Sequence, residues 1–306
     1  LDMIATYSTR LPNKLVEEKY DVRFGSILTS RGCPYKCGFC STRLLWGAGI
    51  RYRNIADVMK EIEMMKNEHG INTFFFPDDN INTDKKNFAA FLKELKKQNI
   101  RWLSGGLQIS SMTEEIVSLC IESGMLAFMM AFESGCDETL RKMKKPLRIN
   151  KAERFVEMTR KIDNKAYIFG AWVTGFPFET LEQVEITHQF AKSLELDWSS
   201  FYCYQPYPGS PIYEYCLEKG YVSKATTNIT SPVPLLNGLT TENFTGDEIV
   251  YSNYCANLDI NFLNNRNLRH NPDQAYRDFT DLLKNYPDHV FAHLMLSRYY
   301  EGRDSK

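Results

Sequence analysis

Short apolar runs alternate with amphipathic stretches through the first two thirds of the chain. The run 26–30 (SILTS) predicts a strand that leads directly into a cysteine-containing loop. Residues 55–69 then place Ile55, Val58, Met59, Ile62 and Met65 at helical spacing, and Gly70 follows as a C-cap. A strand at 71–77 ends in the polar loop Asp78-Asp79-Asn80, and a helix from Phe88 to Gln98 turns Phe88, Phe91, Leu92 and Leu95 inward. The unit repeats. A strand at 100–107 precedes a helix at 113–123 with Thr113 as N-cap and Gly124 at its stop. The continuous apolar run Met125 to Phe132 predicts a strand buried on both faces. Helices at about 150–162 and 180–194 and strands at 166–174 and 197–204 complete six strand–helix alternations.

Such alternation predicts an α/β fold with a parallel sheet, and six units are fewer than the eight of a closed barrel. The expectation is a partial (β/α)6 TIM-like barrel over 26–220. The polar loops at Cys33 to Cys40, Asp78 to Asn80, Gln108 to Ser111, Glu133 to Gly135, Gly175 to Glu179 and Gln205 to Gly209 all follow strand C-termini. That is the face on which parallel barrels build their sites.

Residues 221–306 break the pattern: 221–248 is rich in Thr, Asn, Ser and Pro, and 249–306 is helical in character. Ala275, Phe279 and Leu282, a Tyr-Pro-Asp turn at 286–288, then Phe291, Leu294 and Tyr299 predict a helical hairpin docked on its own domain. It resembles a single tetratricopeptide unit, which needs neighbours to bury its faces. Residues 1–25, short and polar, read as a linker behind an upstream domain.

Composition narrows the class. The chain has 306 residues, 43% hydrophobic and 25% charged, with net charge −1 and a pI near 6.6. That balance gives no electrostatic reason to expect a nucleic-acid partner. No apolar run reaches the roughly eighteen residues of a spanning helix, and no signal peptide opens the chain, so the expected location is cytoplasmic.

Of eight cysteines, five (Cys120, Cys136, Cys203, Cys216 and Cys255) are scattered and read as small buried hydrophobes. The other three fall within Arg31-Gly-Cys-Pro-Tyr-Lys-Cys-Gly-Phe-Cys-Ser41, at spacing C-x3-C-x2-C. Clustered thiolates hold soft metal centres. Structural zinc takes four ligands, and the nearest histidine is His69. A four-iron cubane accepts three cysteines and leaves one iron open to a small molecule, so Cys33, Cys37 and Cys40 point first to a [4Fe–4S] cluster, with zinc or a redox pair as the alternatives.

The triplet resembles the signature of the radical S-adenosylmethionine (SAM) superfamily. Further motifs, Asp78-Asp79-Asn80, Phe132-Glu-Ser-Gly135, Thr174-Gly-Phe-Pro-Phe-Glu-Thr180 and Pro206-Tyr-Pro-Gly-Ser-Pro211, are similar to the radical domain of its cobalamin-dependent branch, which includes the anaerobic magnesium-protoporphyrin cyclase and many methyltransferases. The resemblance covers about 20–220. It implies that SAM closes the fourth iron and is reductively cleaved to a 5′-deoxyadenosyl radical, with an electron donor such as flavodoxin or ferredoxin and a small-molecule substrate. It further implies cobalamin-assisted methyl transfer or oxidative cyclisation. No Asp-x-His-x-x-Gly cobalamin motif occurs here, so the resemblance places the corrin on an upstream domain or another polypeptide.

Position by position, the resemblance sets Phe39 near the adenine and Asp78, Asp79 and Asn80 at the methionine amino group, where the family usually carries Gly-Gly-Glu. Gln108, Ser110 and Ser111 are assigned to the methionine carboxylate or a substrate, and Glu133 and Ser134 to the ribose. Gly175, Pro177 and Tyr204 are assigned to the adenine side, where Tyr202, Tyr204 and Tyr207 form an aromatic wall. Glu179 reads as structural. Lys144, Lys145 and Arg148 read as a solvated basic face or an anion contact. A cobalamin-independent radical enzyme and, from a different class, a zinc-stabilised binding module remain the alternatives.

Overall fold

A computed structural model describes residues 23–223 and 238–304. The linker reading of 1–25 therefore falls almost wholly outside the described residues, as does the middle of the 221–248 extension. The elements in chain order are β1 (Phe24–Ser26), β2 (Ser30–Arg31), α1 (Thr42–Trp46), β3 (Arg51–Tyr52), α2 (Ile55–His69), β4 (Thr73–Phe76), α3 (Lys85–Lys97), β5 (Arg101–Ser104), α4 (Glu114–Glu122), β6 (Phe128–Glu133), α5 (Asp137–Lys142), α6 (Ile149–Ile162), β7 (Ile168–Thr174), α7 (Leu181–Ser193), β8 (Trp198–Cys203) and α8 (Pro211–Glu218). The extension adds α9 (Gly246–Leu258), a π-helical turn (Asp259–Leu263), α10 (Arg266–His270), α11 (Pro272–Asn285) and α12 (Val290–Asp304).

Strands β1, β4 and β5 pair in parallel, as do β6, β7 and β8. Single parallel bridges, Trp102 to Met125 and Leu107 to Met130, join the two sets. The order in space is thus the order in sequence, and no β1–β8 pairing occurs among the described residues. That is the partial (β/α)6 barrel which the alternation predicts.

The helix ends follow local chemistry. Gly70 adopts the left-handed C-cap conformation, and the side chains of Asn54, Asp84, Thr113 and Thr180 each accept a first-turn amide.

Two features differ from the sequence expectations. The predicted strand at 26–30 is split: β1 ends at Ser26, and Ser30–Arg31 leaves the barrel to pair antiparallel with Arg51–Tyr52. This two-residue ribbon closes the cysteine loop at its base. The run Met125 to Phe132 is also not buried on both faces. Phe128, Met130 and Phe132 are buried, while Met129 and Ala131 are half-buried. Phe128 meets Phe155 of α6, and on the next strand Trp172 meets Phe190 of α7, so the buried set faces the helices. The alternate set, continued by Phe169, Ala171 and Val173, is half-buried and faces the barrel interior.

The extension closes the sheet edge. Asn261 accepts the Ser199 amide at 2.8 Å and donates to the Ser199 carbonyl at 2.6 Å, so one side-chain amide occupies the hydrogen-bonding positions of a next strand on β8. Asn253 Oδ1 accepts from Thr174 Oγ1 at 2.8 Å and lies 3.0 Å from His188 Nε2, fastening α9 to β7 and α7. The hairpin α11–α12 buries Ala275, Phe279, Ala292 and Met295 against Phe262. Leu294, expected inside, is 43% exposed, and Met295 takes that place in the core.

Candidate functional site

The cysteine loop is fixed by its backbone. Gly32 has φ +93°, and a Cβ there would lie 2.5 Å from the Gly49 carbonyl oxygen, so only glycine fits between the ribbon and the loop. The Gly38 amide donates to Met143 O at 2.8 Å, and the Ile212 amide donates to Gly38 O at 2.9 Å. The loop is therefore docked at once on the segment after α5 and on the start of α8. None of these bonds uses a thiol.

Cys33, Cys37 and Cys40 are unpaired and half-buried. Cys40 Sγ accepts from the Thr42 amide at 3.5 Å and lies 3.2 Å from Thr42 Oγ1, and Asn80 Nδ2 donates to Cys33 Sγ at 3.6 Å. Burial pushes the Cys37 thiol up to about 11, against the opposing pull of Lys145. Metal loading must therefore displace a proton there. Among the described residues no three His, Cys, Asp or Glu side chains converge closely enough for one metal ion.

The loop after β4 separates its three residues by role. Asp78 is buried and accepts from Thr29 Oγ1 at 2.8 Å, Ser30 Oγ at 2.5 Å and the Thr29 amide at 3.2 Å. Burial raises its pKa, and these donors oppose the rise. Its hydrogen bonds go to the chain entering the cysteine loop. Asp79 accepts from the Gly32 amide at 3.0 Å and from Thr42 Oγ1 at 3.1 Å, spanning the same loop. Asn80 differs: its Nδ2 faces Cys33, while its buried Oδ1 has no partner. Gly106 supports the loop from below, because a Cβ there would lie 1.9 Å from Asp78 O.

Glu133 ends β6 at φ +66°, an unusual conformation for a residue with a side chain, and its carboxylate pairs with Lys145 at 2.9 Å. Burial disfavours the Lys145 charge, yet Glu133 and the nearby Cys37 outweigh it and raise the lysine pKa. Ser134 turns away into the scaffold, 3.0 Å from Thr187 Oγ1 and accepting from the Cys136 amide at 3.1 Å. Gln108 exchanges backbone bonds with the Asn82 side chain, and Ser110 Oγ donates to Pro146 O at 2.5 Å. Buried Ser111 lies in the same short 3-10 turn.

An aromatic wall stands beside the cysteines. Phe39 meets Phe176 edge-on at 5.8 Å, and Phe176 stacks on Tyr204 at 4.5 Å and on Phe178 at 5.7 Å. Gly175, with φ +80°, and buried Pro177 shape the turn that presents Phe176. Beneath it Glu179 is fully buried, accepts from the Phe176 amide at 2.9 Å and titrates near 7, raised by burial. Tyr202 and Tyr207 are partly exposed.

The structure thus gathers Cys33 with Asn80, and Cys37 with Lys145 and Glu133, at one end of the barrel. Thr29 and Gly106 stand outside the motifs that the sequence offers, although a hydroxyl beside Ser30 and a Gly-Gly pair after a strand are legible signals of a tight backbone approach. Lys145 was seen only as one of a basic run.

A family model described as the radical SAM superfamily matches residues 27–191. The chain is 29% identical over 219 residues to the cytidylyl-2-hydroxyethylphosphonate methyltransferase of Streptomyces wedmorensis, covering 68% of this chain and 41% of that protein. It is 26% identical over 188 residues to the anaerobic magnesium-protoporphyrin IX monomethyl ester cyclase of Rubrivivax gelatinosus, covering 60% and 33%. The chain spans less than half the length of these two curated relatives. In fold it is similar to the radical S-adenosylmethionine methyltransferase TsrM of Kitasatospora setae, solved with cobalamin and a [4Fe–4S] cluster, at a TM-score of 0.62 and 17% identity over 95% of this chain and 63% of that one.

Proposed function

This chain belongs to the radical SAM superfamily, and we propose on that premise that Cys33, Cys37 and Cys40 hold its [4Fe–4S] cluster while SAM occupies the half-open barrel interior beside them. When bound, the cluster and SAM together supply one-electron cleavage of the sulfonium and a 5′-deoxyadenosyl radical. The protein's own part is to hold, orient and shield.

The observation that carries this reading is Asn80. A buried carbonyl oxygen without a partner is costly, and this one lies on the side chain that also reaches Cys33. The N–H of a methionine amino group held beside the cysteines would supply the donor it lacks. Asp79 holds the loop that positions Asn80 against the cysteines, and Asp78 anchors that loop to the barrel. Glu133 has a carboxylate oxygen's capacity beyond its bond to Lys145, which suits a ribose diol, and we assign Gln108, on the next loop, to the methionine carboxylate or the substrate. Half-buried Phe39 is the side chain of this cluster that could meet an adenine, and the buried Phe176 and Tyr204, with the Gly175 and Pro177 turn, back it from behind and keep water out.

The methyltransferase and cyclase relatives support methyl transfer to an unactivated carbon, or oxidative cyclisation, of a small molecule. We assign any corrin to protein outside these 306 residues, and the electron to a flavodoxin- or ferredoxin-type donor in the cytoplasm. Among the described residues no helix is long and apolar enough to cross a membrane.

Anaerobic reconstitution with iron and sulfide tests the core reading. About four irons and four sulfides per chain, a brown absorbance bleached by dithionite, and 5′-deoxyadenosine formed from SAM are expected. One zinc and no sulfide would end it. A full-length, cobalamin-replete protein without corrin absorbance would remove the cobalamin branch alone.

A further inference from the structure

A surface cavity of about 320 Å³ is lined by Ser110, Arg141, Lys144, Lys145, Arg148 and Lys151, with no carboxylate in its wall. Five cations around one space repel each other, and an anion placed among them is attracted by all of them. The nearest carboxylates are engaged: Glu133 pairs with Lys145, Glu138 pairs with Lys142, and Asp137 accepts the Ile149 amide. Among the described residues no salt bridge reaches Arg141, Lys144, Arg148 or Lys151, and all four are exposed.

Two further observations concern the backbone. Lys144 sits at φ +57°, a left-handed conformation that costs energy for a residue with a Cβ, and it turns the loop around the cavity. Arg148 is the N-cap of the 14-residue helix α6; its own side chain makes no cap hydrogen bond, and the first turn contains no acidic residue. Cations at a helix N-terminus oppose the helix dipole, where carboxylates are usual. Arg148 and Lys151 flank that first turn, whose Ile149 amide is taken by Asp137, so the two side chains add their charge to the positive end of the helix beside the cavity.

We propose that this cavity binds the phosphoryl group of an anionic small-molecule substrate, a phosphate or phosphonate ester, and thereby holds the rest of that molecule toward the cysteine loop. The proposal rests on the radical reading above only for the direction in which the substrate extends. Lys145 is the shared wall, and the Met143 carbonyl that receives the Gly38 amide belongs to the same loop. A phosphoryl group matches better than a carboxylate. It carries up to two negative charges and three acceptor oxygens, enough to engage the arginine forks and the lysines together.

Calorimetric titration of the intact chain with inorganic pyrophosphate and with methylphosphonate, cluster-free and reconstituted, is the test. Saturable binding that weakens with salt is expected. The pair Arg148→Gln and Lys151→Gln should weaken it at least about tenfold, as lost hydrogen bonds to a charged group imply, while Arg148→Lys with Lys151→Arg should retain most of it. Absence of saturable binding, equal affinity in the Gln pair, or equally tight binding of succinate would overturn the proposal. So would co-sedimentation with phosphatidylglycerol vesicles in place of binding to the soluble probes. Because cluster-free protein is measured too, failure here is separable from failure of the radical reading.

Discussion

Lys145 Nζ lies 2.9 Å from Glu133 Oε1, and each side chain is only 10% exposed. Lys145 also lines the basic cavity, so one side chain links Glu133 to it. Removing one partner strands a buried charge, which costs about 3–5 kcal/mol, whereas removing both can be neutral. Lys145→Met should therefore lower stability by about that much in urea unfolding, and Glu133→Gln with Lys145→Met should recover most of the loss. Equal losses in the single and double variants would show that the pair does not act as a unit.

Asn80 offers a sharper probe of SAM binding than the cysteines do, because its loss should spare the cluster. Asn80→Ala is expected to keep full iron content after reconstitution and to weaken SAM binding by about tenfold or more, the loss of one hydrogen bond to a charged group. Equilibrium dialysis against SAM measures it. Unchanged affinity would remove Asn80 from the ammonium site.

Glu179 should leave a signature in the pH dependence of stability. Its carboxyl is raised by burial from the ordinary 4.5 to about 7 in the folded protein. An acid that holds its proton more tightly when folded supports stability fully below pH 4.5, and that support is lost as pH rises through 7. Relative to Glu179→Gln, the native protein should lose about 3 kcal/mol between pH 4.5 and 8. Parallel urea-unfolding profiles of the two proteins across that range would contradict this.

Asn261 tests the closure of the sheet. Its amide makes both hydrogen bonds to Ser199 on the last strand, and Asn261→Ala leaves a buried donor and acceptor unmet, at about 2–3 kcal/mol. Hydrogen exchange at the Ser199 amide should accelerate in step with that loss. Unaltered exchange would mean that another group covers the edge.

The elements were legible because each rests on local chemistry. Helix α2 is found where the spacing of Ile55, Val58, Met59 and Ile62 and the Gly70 stop place it, and the Thr113 and Thr180 caps hold their helices as read. Periodicity does not report what fills a barrel, so the run at 125–132 looked buried on both faces while its inner face is only half-covered. Nor does it report which of two neighbouring core residues is turned inward, as Leu294 and Met295 show.

By itself the sequence determined the strand–helix order, the face that carries the loops and the three-cysteine signature, since spacing and turn residues act within a few positions of themselves. Tertiary structure decided how the acidic loop divides its work: Asp78 is bound by Thr29 and Ser30, Asp79 by Gly32 and Thr42, and Asn80 keeps one oxygen open. It also decided that Lys145 faces Glu133 while its basic neighbours line a cavity. These pairings join residues 12 to 49 positions apart, and a hydrogen bond or an ion pair depends on distances of a few tenths of an ångström that only the packed chain supplies.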